Sequence, residues 1–267
     1  MSNYQLITSK ENQIFKLIKG LYLAKGRKAT GLFVAEGYRL VRDLCEAGIT
    51  PEIVVYSEKF VTSPQGQHLG ELFAGYQQFV FAEALFAKLA ETVHPQGVIA
   101  AFQIPDQSGA AIWNSGPNGN SYVLCLDRIQ DPGNLGTIIR TCSAFGYTMV
   151  LGRGCVDLYN PKVVRASMGE LGRVPTVTDV DLVSFLKSAP VHLPLIITSP
   201  HGERSLLELD TSEGCILVIG NEANGVSPEV EKIVGRSFYI PTIGQAESLN
   251  AAVATALAIF ETVRAHF

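Results

Sequence analysis

The sequence predicts an α/β protein of two domains, whose C-terminal half is a parallel sheet covered on both faces. Three observations lead there. Apolar, β-branched runs at 122–126, 148–151, 195–198, 216–219 and 238–240 alternate with helix-compatible sequence, the pattern of strands buried on both faces by crossover helices. The first hundred residues carry a shorter strand–helix rhythm of their own. Between the two, residues 106–120 (DQSGAAIWNSGPNGN) are rich in Gly, Ser, Asn and Pro and break all periodicity, so they read as a linker. A chain of 267 residues accommodates two compact domains, placed here at 1–105 and 121–267.

In the first domain, residues 12–25 set Ile14, Leu17, Ile18 and Leu21 on one helical stripe. Segments 32–35 and 52–56 read as strands flanking a helix over 38–47, and 78–81 and 98–102 as strands around a helix at 84–90. Together they make a small α/β sandwich. Trp113, inside the linker, is expected to dock it onto a domain. At the far end, residues 248–267 are apolar on more than one helical face, which demands burial in the core or at a subunit interface.

Composition narrows the functional classes. Hydrophobic residues at 47% against 17% charged support a sizeable core and exclude global disorder. The N-terminal MSNYQLITSK lacks a basic-then-apolar leader, and the longest apolar stretch, 251–260, is shorter than the roughly 20 residues a membrane span needs. Five scattered cysteines form no CxxC pair, so neither a disulfide framework nor a zinc site is expected, and a soluble protein of the reducing cytoplasm is. Net charge is −4, yet residues 1–50 hold eight Lys/Arg against four acids, a local +4 that leaves −8 for the remainder. Such a basic face attracts phosphates even on an acidic protein; a plain solvated face fits equally well.

Three polar segments of the second domain each follow a predicted strand, and ligands of parallel α/β sheets collect at strand carboxyl ends. The first, 127–140 (DRIQDPGNLGTIIR), turns at Pro132 and Gly133 and starts a helix near Asn134 and Gly136, with Arg140 about a turn into it and expected to point into the same pocket. A helix start offers free N–H groups to a polar ligand. A plain cap at Asn134 and a surface charge at Arg140 also fit. The second, 215–227 (CILVIGNEANGVS), runs from a buried strand into Gly220, Asn221 and Glu222, with Gly225 beyond. Glycines admit a close backbone approach, but a structural turn does not explain an amide and a carboxylate straight after four apolar residues. The third, 240–250 (IPTIGQAESLN), brackets the last helix with Ser248 and Asn250, and capping accounts for one of them only.

Asn134 with Gly136 and Arg140, then Gly220-Asn221-Glu222 with Gly225, then Ile240-Pro241 with Ser248-Leu249-Asn250, resemble the three ordered motifs of the SpoU methyltransferases, in the SPOUT superfamily. Asn160-Pro161-Lys162 with Arg165, Ser167 and Gly169 is similar to a segment those enzymes carry between the first two motifs. Ser9, Asn12, Phe33, Glu36 and Gly37 resemble their N-terminal RNA-substrate-binding domain of the ribosomal RNA branch. The likeness covers nearly the whole chain. Two positions depart from it: Ala223-Asn224 stands where a glycine is common, and Ala251-Ala252 where Val-Ser is frequent.

The resemblance implies a sheet with a C-terminal trefoil knot, an exception to unthreaded chains, and S-adenosylmethionine-dependent methylation of a ribose 2′-hydroxyl, with 23S ribosomal RNA the expected substrate. Transfer RNA methylation, or RNA binding without chemistry, stays as the alternative. The cofactor is expected against Thr198, Gly220, Asn221, Ile240, Pro241 and Leu249. Arg140 is expected closest to the 2′-oxygen, orienting it and stabilising its charge because a guanidinium is too weak a base, while Asn134, Glu222, Ser248 and Asn250 hold it and the ribose. RNA contacts are expected from Lys10, Asn12, Lys28, Arg39, Lys162 and Arg165. A homodimer through the last helix is implied, and no metal is. A nicotinamide-binding domain is disfavoured, because neither Gly152-Arg153-Gly154 nor Gly133-Asn134-Leu135-Gly136 fits GxGxxG.

Overall fold

The computed structural model describes residues 6–106, 112, 120–264 and 267. The expected linker, with Trp113, therefore lies almost wholly outside the described residues. The chain forms two compact units, one running through Asp106 and including Tyr159–Gly172, the other running to Leu158 and resuming at Arg173.

The first unit is built on Leu6–Ile7 (β1), Gln13–Leu21 (α1), Ala24–Thr30 (α2), Leu32–Glu36 (β2), Tyr38–Glu46 (α3), Pro51–Ser57 (β3), Glu58–Val61 (α4), Pro64–Leu72 (α5), Gln77–Phe81 (β4), Glu83–Leu89 (α6) and Val98–Gln103 (β5). Its sheet has the order β1-β4-β3-β5-β2, with β5 antiparallel to both neighbours and the remaining pairs parallel. Asn12 starts α1 by accepting from the Ile14 amide at 2.8 Å, and Phe15, Ile18 and Leu21 form its buried stripe.

The single helix expected over 12–25 is two helices, because Leu23 is extended (φ −100°, ψ 142°). They cross so closely that a Cβ on Gly26 would lie 2.1 Å from the Gly20 carbonyl oxygen. Arg27 is not part of a solvated basic face. It is buried, with Nη1 donating to the Leu21 carbonyl at 2.8 Å, a cation on the C-terminal end of α1. Neither α4 nor α5 was legible: α4 is a single turn, and α5 (PQGQHLGEL) is too polar to show a stripe.

The second unit begins with Ser121–Leu126 (β6), Pro132–Phe145 (α7) and Thr148–Gly152 (β7). Pro161–Ala166 (α8) then clusters with the first unit, after which come Thr176–Val180 (β8), Leu182–Lys187 (α9), Leu195–Thr198 (β9), Arg204–Ser205 (β10), Gly214–Ile219 (β11), Pro228–Val234 (α10), Ser237–Tyr239 (β12) and Ala251–Val263 (α11). The sheet order is β10-β12-β9-β11-β6-β7-β8 and every pair is parallel. Parallel pairing puts the carboxyl ends of β6, β9, β11 and β12 on one side, where the three polar segments emerge. The edge strand β8 (TVTDV) lacks a continuous apolar run and carries Asp179 at φ 58°, which hid it from hydrophobic patterning.

Helix α11 buries Ala251, Ala252, Thr255, Ala258, Ile259, Thr262 and Val263 but leaves Val253, Leu257 and Phe260 exposed. Its far end is tied by hydroxyl groups. Tyr147 and Thr262 share a hydrogen bond at 2.6 Å between their hydroxyls, Thr211 donates to the Thr262 carbonyl at 2.6 Å, and Tyr122 donates to the Thr211 carbonyl at 2.8 Å. Thr262→Val keeps the shape and removes the hydroxyl, so denaturant unfolding is expected to show a loss of about 1–3 kcal/mol, the cost of an underpaired buried polar group.

Candidate active site

The end of β6 sets the first loop. The Asp127 amide donates to the Ile219 carbonyl at 2.9 Å, one residue beyond the strand. Asp131 then caps α7, its carboxylate accepting from the Asn134 amide at 2.7 Å, and Pro132 occupies the first helical position, where no amide hydrogen is needed. Asn134 is thus not the cap, and its side chain is released for other work.

That work joins three distant segments. Asn250 caps α11, its Oδ1 accepting from the amides of Ala252 at 2.9 Å and Val253 at 3.3 Å. Its Nδ2 is then left to donate to Asn134 Oδ1 at 2.9 Å, and Asn134 Nδ2 donates to Glu222 Oε1 at 2.8 Å. The helix end fixes the orientation of both amides, since an amide has one accepting and one donating end.

The loop after β11 is a tight turn. Asn221 and Gly225 exchange both backbone hydrogen bonds at 2.9 Å, and Asn221 Oδ1 accepts from the amides of Ala223 at 3.0 Å and Asn224 at 3.1 Å. Gly225 takes φ 65°. Gly220 lies so close beneath that a Cβ would fall 2.1 Å from the Gly225 carbonyl carbon.

Beside this turn opens a cleft of about 770 Å³, within the range of cofactor sites. Of the expected cofactor residues, Thr198, Gly220, Asn221, Ile240 and Leu249 line it, together with Glu222 and Ser248; Pro241 is not among the lining residues. Asn134 and Asn250 connect to it through Glu222. Arg140 is exposed and outside the lining. Six positions after Asn134, it sits about 9 Å along α7 and about 120° around it, so the two side chains leave different faces of the helix.

Asp127, Arg128, Ser199, His201 and Glu231 are not among the expected site residues. The last three line the cleft. The signal that singled out Asn221 and Glu222, a polar pair straight after a buried strand, applies equally to Asp127 and Arg128. The residues expected to contact RNA all belong to the first unit: Lys10, Lys28, Arg39, Lys162 and Arg165 are exposed, while the Asn12 side chain is occupied in capping α1. All five cysteines are free. Burial pushes the Cys45 and Cys155 thiols up to about 11 and Cys215 to about 12, so these three stay protonated at neutral pH. Among the described residues no group of three His, Cys, Asp or Glu is placed to hold a metal ion, and no helix is long and apolar enough to cross a membrane.

In the second unit, then, a parallel α/β sheet brings the loops after β9, β11 and β12 together around a cleft of cofactor size. The model of the SpoU rRNA Methylase family matches residues 121–260, and an MRM3-like substrate binding domain matches residues 12–100. The chain belongs to the SpoU rRNA methylase family. It is 34% identical over 257 residues, 95% of this chain and 97% of the relative, to the 23S rRNA (guanosine(2553)-2′-O)-methyltransferase RlmP of Bacillus subtilis. It is 30% identical, over 89% of this chain and 84% of the relative, to the 23S rRNA (uridine(2479)-2′-O)-methyltransferase of Streptomyces viridochromogenes. The AdoMet-bound rRNA methyltransferase of Sinorhizobium meliloti superposes with TM-score 0.85 and 29% identity across 99% of both chains.

Gly220→Ala forces a methyl group into the turn backbone. It is expected to cost about 1–3 kcal/mol, as overpacking does, measured by thermal unfolding against a neutral control such as Gly75→Ala, where a Cβ meets nothing within 4 Å.

Proposed function

We propose that this chain transfers the methyl group of S-adenosylmethionine to a ribose 2′-hydroxyl of ribosomal RNA, and that 23S rRNA is the target. The observation that carries the reading is the Glu222–Asn134–Asn250 hydrogen-bond chain set against a cleft of cofactor size. The target follows the two relatives named for 23S rRNA.

The cleft fits the cofactor chemically. Ile197, Ile219, Ile240 and Leu249 give apolar walls for an adenine ring, and the close-packed Gly220 leaves backbone to line the floor. Glu222, Glu231 and Glu247 face it against one imidazole, His201, a balance suited to a ligand carrying sulfonium and ammonium charges. When bound, S-adenosylmethionine supplies an electrophilic methyl group. The chain must then orient the hydroxyl oxygen, accept its loss of a proton and stabilise the negative charge that develops. Glu222, Asn134, Asn250 and Ser248 position the ribose. Arg140 stabilises the oxygen, with a phosphate of the RNA assisting, since its own basicity is far too low for proton abstraction.

The exposed position of Arg140 on α7 favours a homodimer. Val253, Leu257 and Phe260 expose an apolar face on α11, and Phe145 of α7 packs edge-on against Phe260. A second copy docked on this face receives Arg140 near its own cleft. The tail forms the trefoil knot of the family, the first unit binds the RNA, and the protein acts in the cytoplasm, where ribosomal RNA is met.

Transfer of labelled methyl from the cofactor to ribosomal RNA, with ribose methylation mapped in a strain lacking the gene, tests the activity; unlabelled RNA and an unchanged map would reject it. Arg140→Ala is expected to lower transfer by at least about 10²-fold, as loss of a charge-stabilising donor does, with cofactor affinity by calorimetry unchanged. Mixing that variant with Glu222→Ala should restore part of the activity if Arg140 serves the partner's cleft. The double variant Lys28→Ala/Arg39→Ala is expected to reduce the slope of log affinity for RNA against log salt by about 1.4–1.8, two phosphate contacts' worth, in filter binding.

A further inference from the structure

We infer that Asp127 and Arg128 are positioning residues for the cofactor, clamping both ends of the glycine turn that lines the cleft. The inference rests on reading that cleft as the S-adenosylmethionine site. Asp127 follows six buried residues of β6 and is itself only 5% exposed. A carboxylate held this deep needs full pairing, and both oxygens have it. Oδ2 accepts from the Ser227 amide at 2.6 Å, and Oδ1 accepts from Arg128 Nε at 3.1 Å.

Ser227 is where the turn exits toward α10, so the carboxylate fastens its far end. Its near end is fastened by Asn221, whose Nδ2 donates to the Arg128 carbonyl at 2.9 Å. Arg128 Nη2 also reaches the Gly225 carbonyl at 3.4 Å. Arg128 achieves this in a left-handed conformation, φ 59°, which a residue with a side chain adopts only where its surroundings enforce it. That reversal lets one residue offer its carbonyl to Asn221 and its guanidinium to Asp127 and Gly225. Neither Asp127 nor Arg128 lines the cleft, whereas Asn221, Glu222 and Gly225 do. The pair therefore acts through the turn. It sets the floor under the cofactor and the carboxylate that orients Asn134.

A clamp of this kind weakens cofactor binding when loosened and leaves RNA binding in the other unit untouched. In the full-length chain, Asp127→Asn is expected to raise the S-adenosylmethionine Kd about tenfold in calorimetry, the effect of losing a charged partner in a buried hydrogen bond, with RNA affinity unchanged. Arg128→Met, on a partly exposed side chain, should raise it about threefold, and Arg128→Lys should recover part of that loss. Amide hydrogen exchange across 221–227 should quicken in the Asn and Met variants without cofactor. Wild-type cofactor affinity in both variants, or an equal loss of cofactor and RNA affinity, would overturn the clamp. If Asp127→Asn does not fold, Arg128→Met and its lysine rescue decide. A wild-type chain that binds no S-adenosylmethionine would instead remove the reading of the cleft itself.

Discussion

One carboxylate holds the cleft together: Glu222 accepts from Asn134, and Asn134 accepts from Asn250. The three residues come from the ends of different structural segments, and nothing in local propensity draws them to one point. The direction of the chain is imposed from the helix, because the amides at the start of α11 need an acceptor and take the oxygen of Asn250. The remaining donors then have one outlet each, ending at the only charged group. Charge-assisted hydrogen bonds are stronger and more directional than neutral ones, so the negative end of the relay defines where the neutral amides sit.

That arrangement needs its helix fixed at both ends. Asn250 fixes the start of α11, and the Tyr147, Thr262 and Thr211 hydroxyls fix the finish at the last turn. Between them the buried face is mostly alanine and threonine, small side chains that let the helix lie close to α7 and β11 with little steric selectivity of their own. Polar contacts at the two ends therefore supply the register that such a smooth face cannot. The apolar side chains that do project, Val253, Leu257 and Phe260, face outward, so the multi-sided hydrophobicity visible in the sequence divides into one face for the core and another that stays exposed.

How much of this was legible depended on what kind of signal each feature leaves. The parallel strands were readable because burial on both faces writes an unbroken apolar run, as in SYVLCL and GCILVI. The edge strand TVTDV was not, since half of it faces solvent. Glu222 and Asn221 announced themselves by following such a run directly, and the same rule would have caught Asp127. The resemblance puts Arg140 nearest the 2′-oxygen; within one chain it is exposed and outside the cleft lining. Helical geometry separates it from Asn134 by a third of a turn, a fact available from spacing alone. The amide relay was invisible for a different reason: it depends on which loop lies over which strand end, and sequence order does not contain that.

Charge was the feature most simplified by counting. Eight basic residues in the first fifty fit a phosphate-attracting face or a plain solvated one, and several of them have partners within the chain. Arg27 is buried on a helix end, Lys16 pairs with Glu11, and Arg42 pairs with Asp43 and Glu46, whose acids hold its guanidinium above the ordinary arginine value. Lys19 lies over the Tyr22 ring at 5.2 Å. Lys10, Lys25, Lys28 and Arg39 are exposed, as are Lys162 and Arg165 in the same unit. Phosphate contacts carry no sequence information of their own, so exposed cations give affinity without selectivity. A neutral amide differs from a lysine in both respects: it has one accepting and one donating end, and the Asn134–Asn250 contact, which carries no charge, keeps its direction whatever the salt.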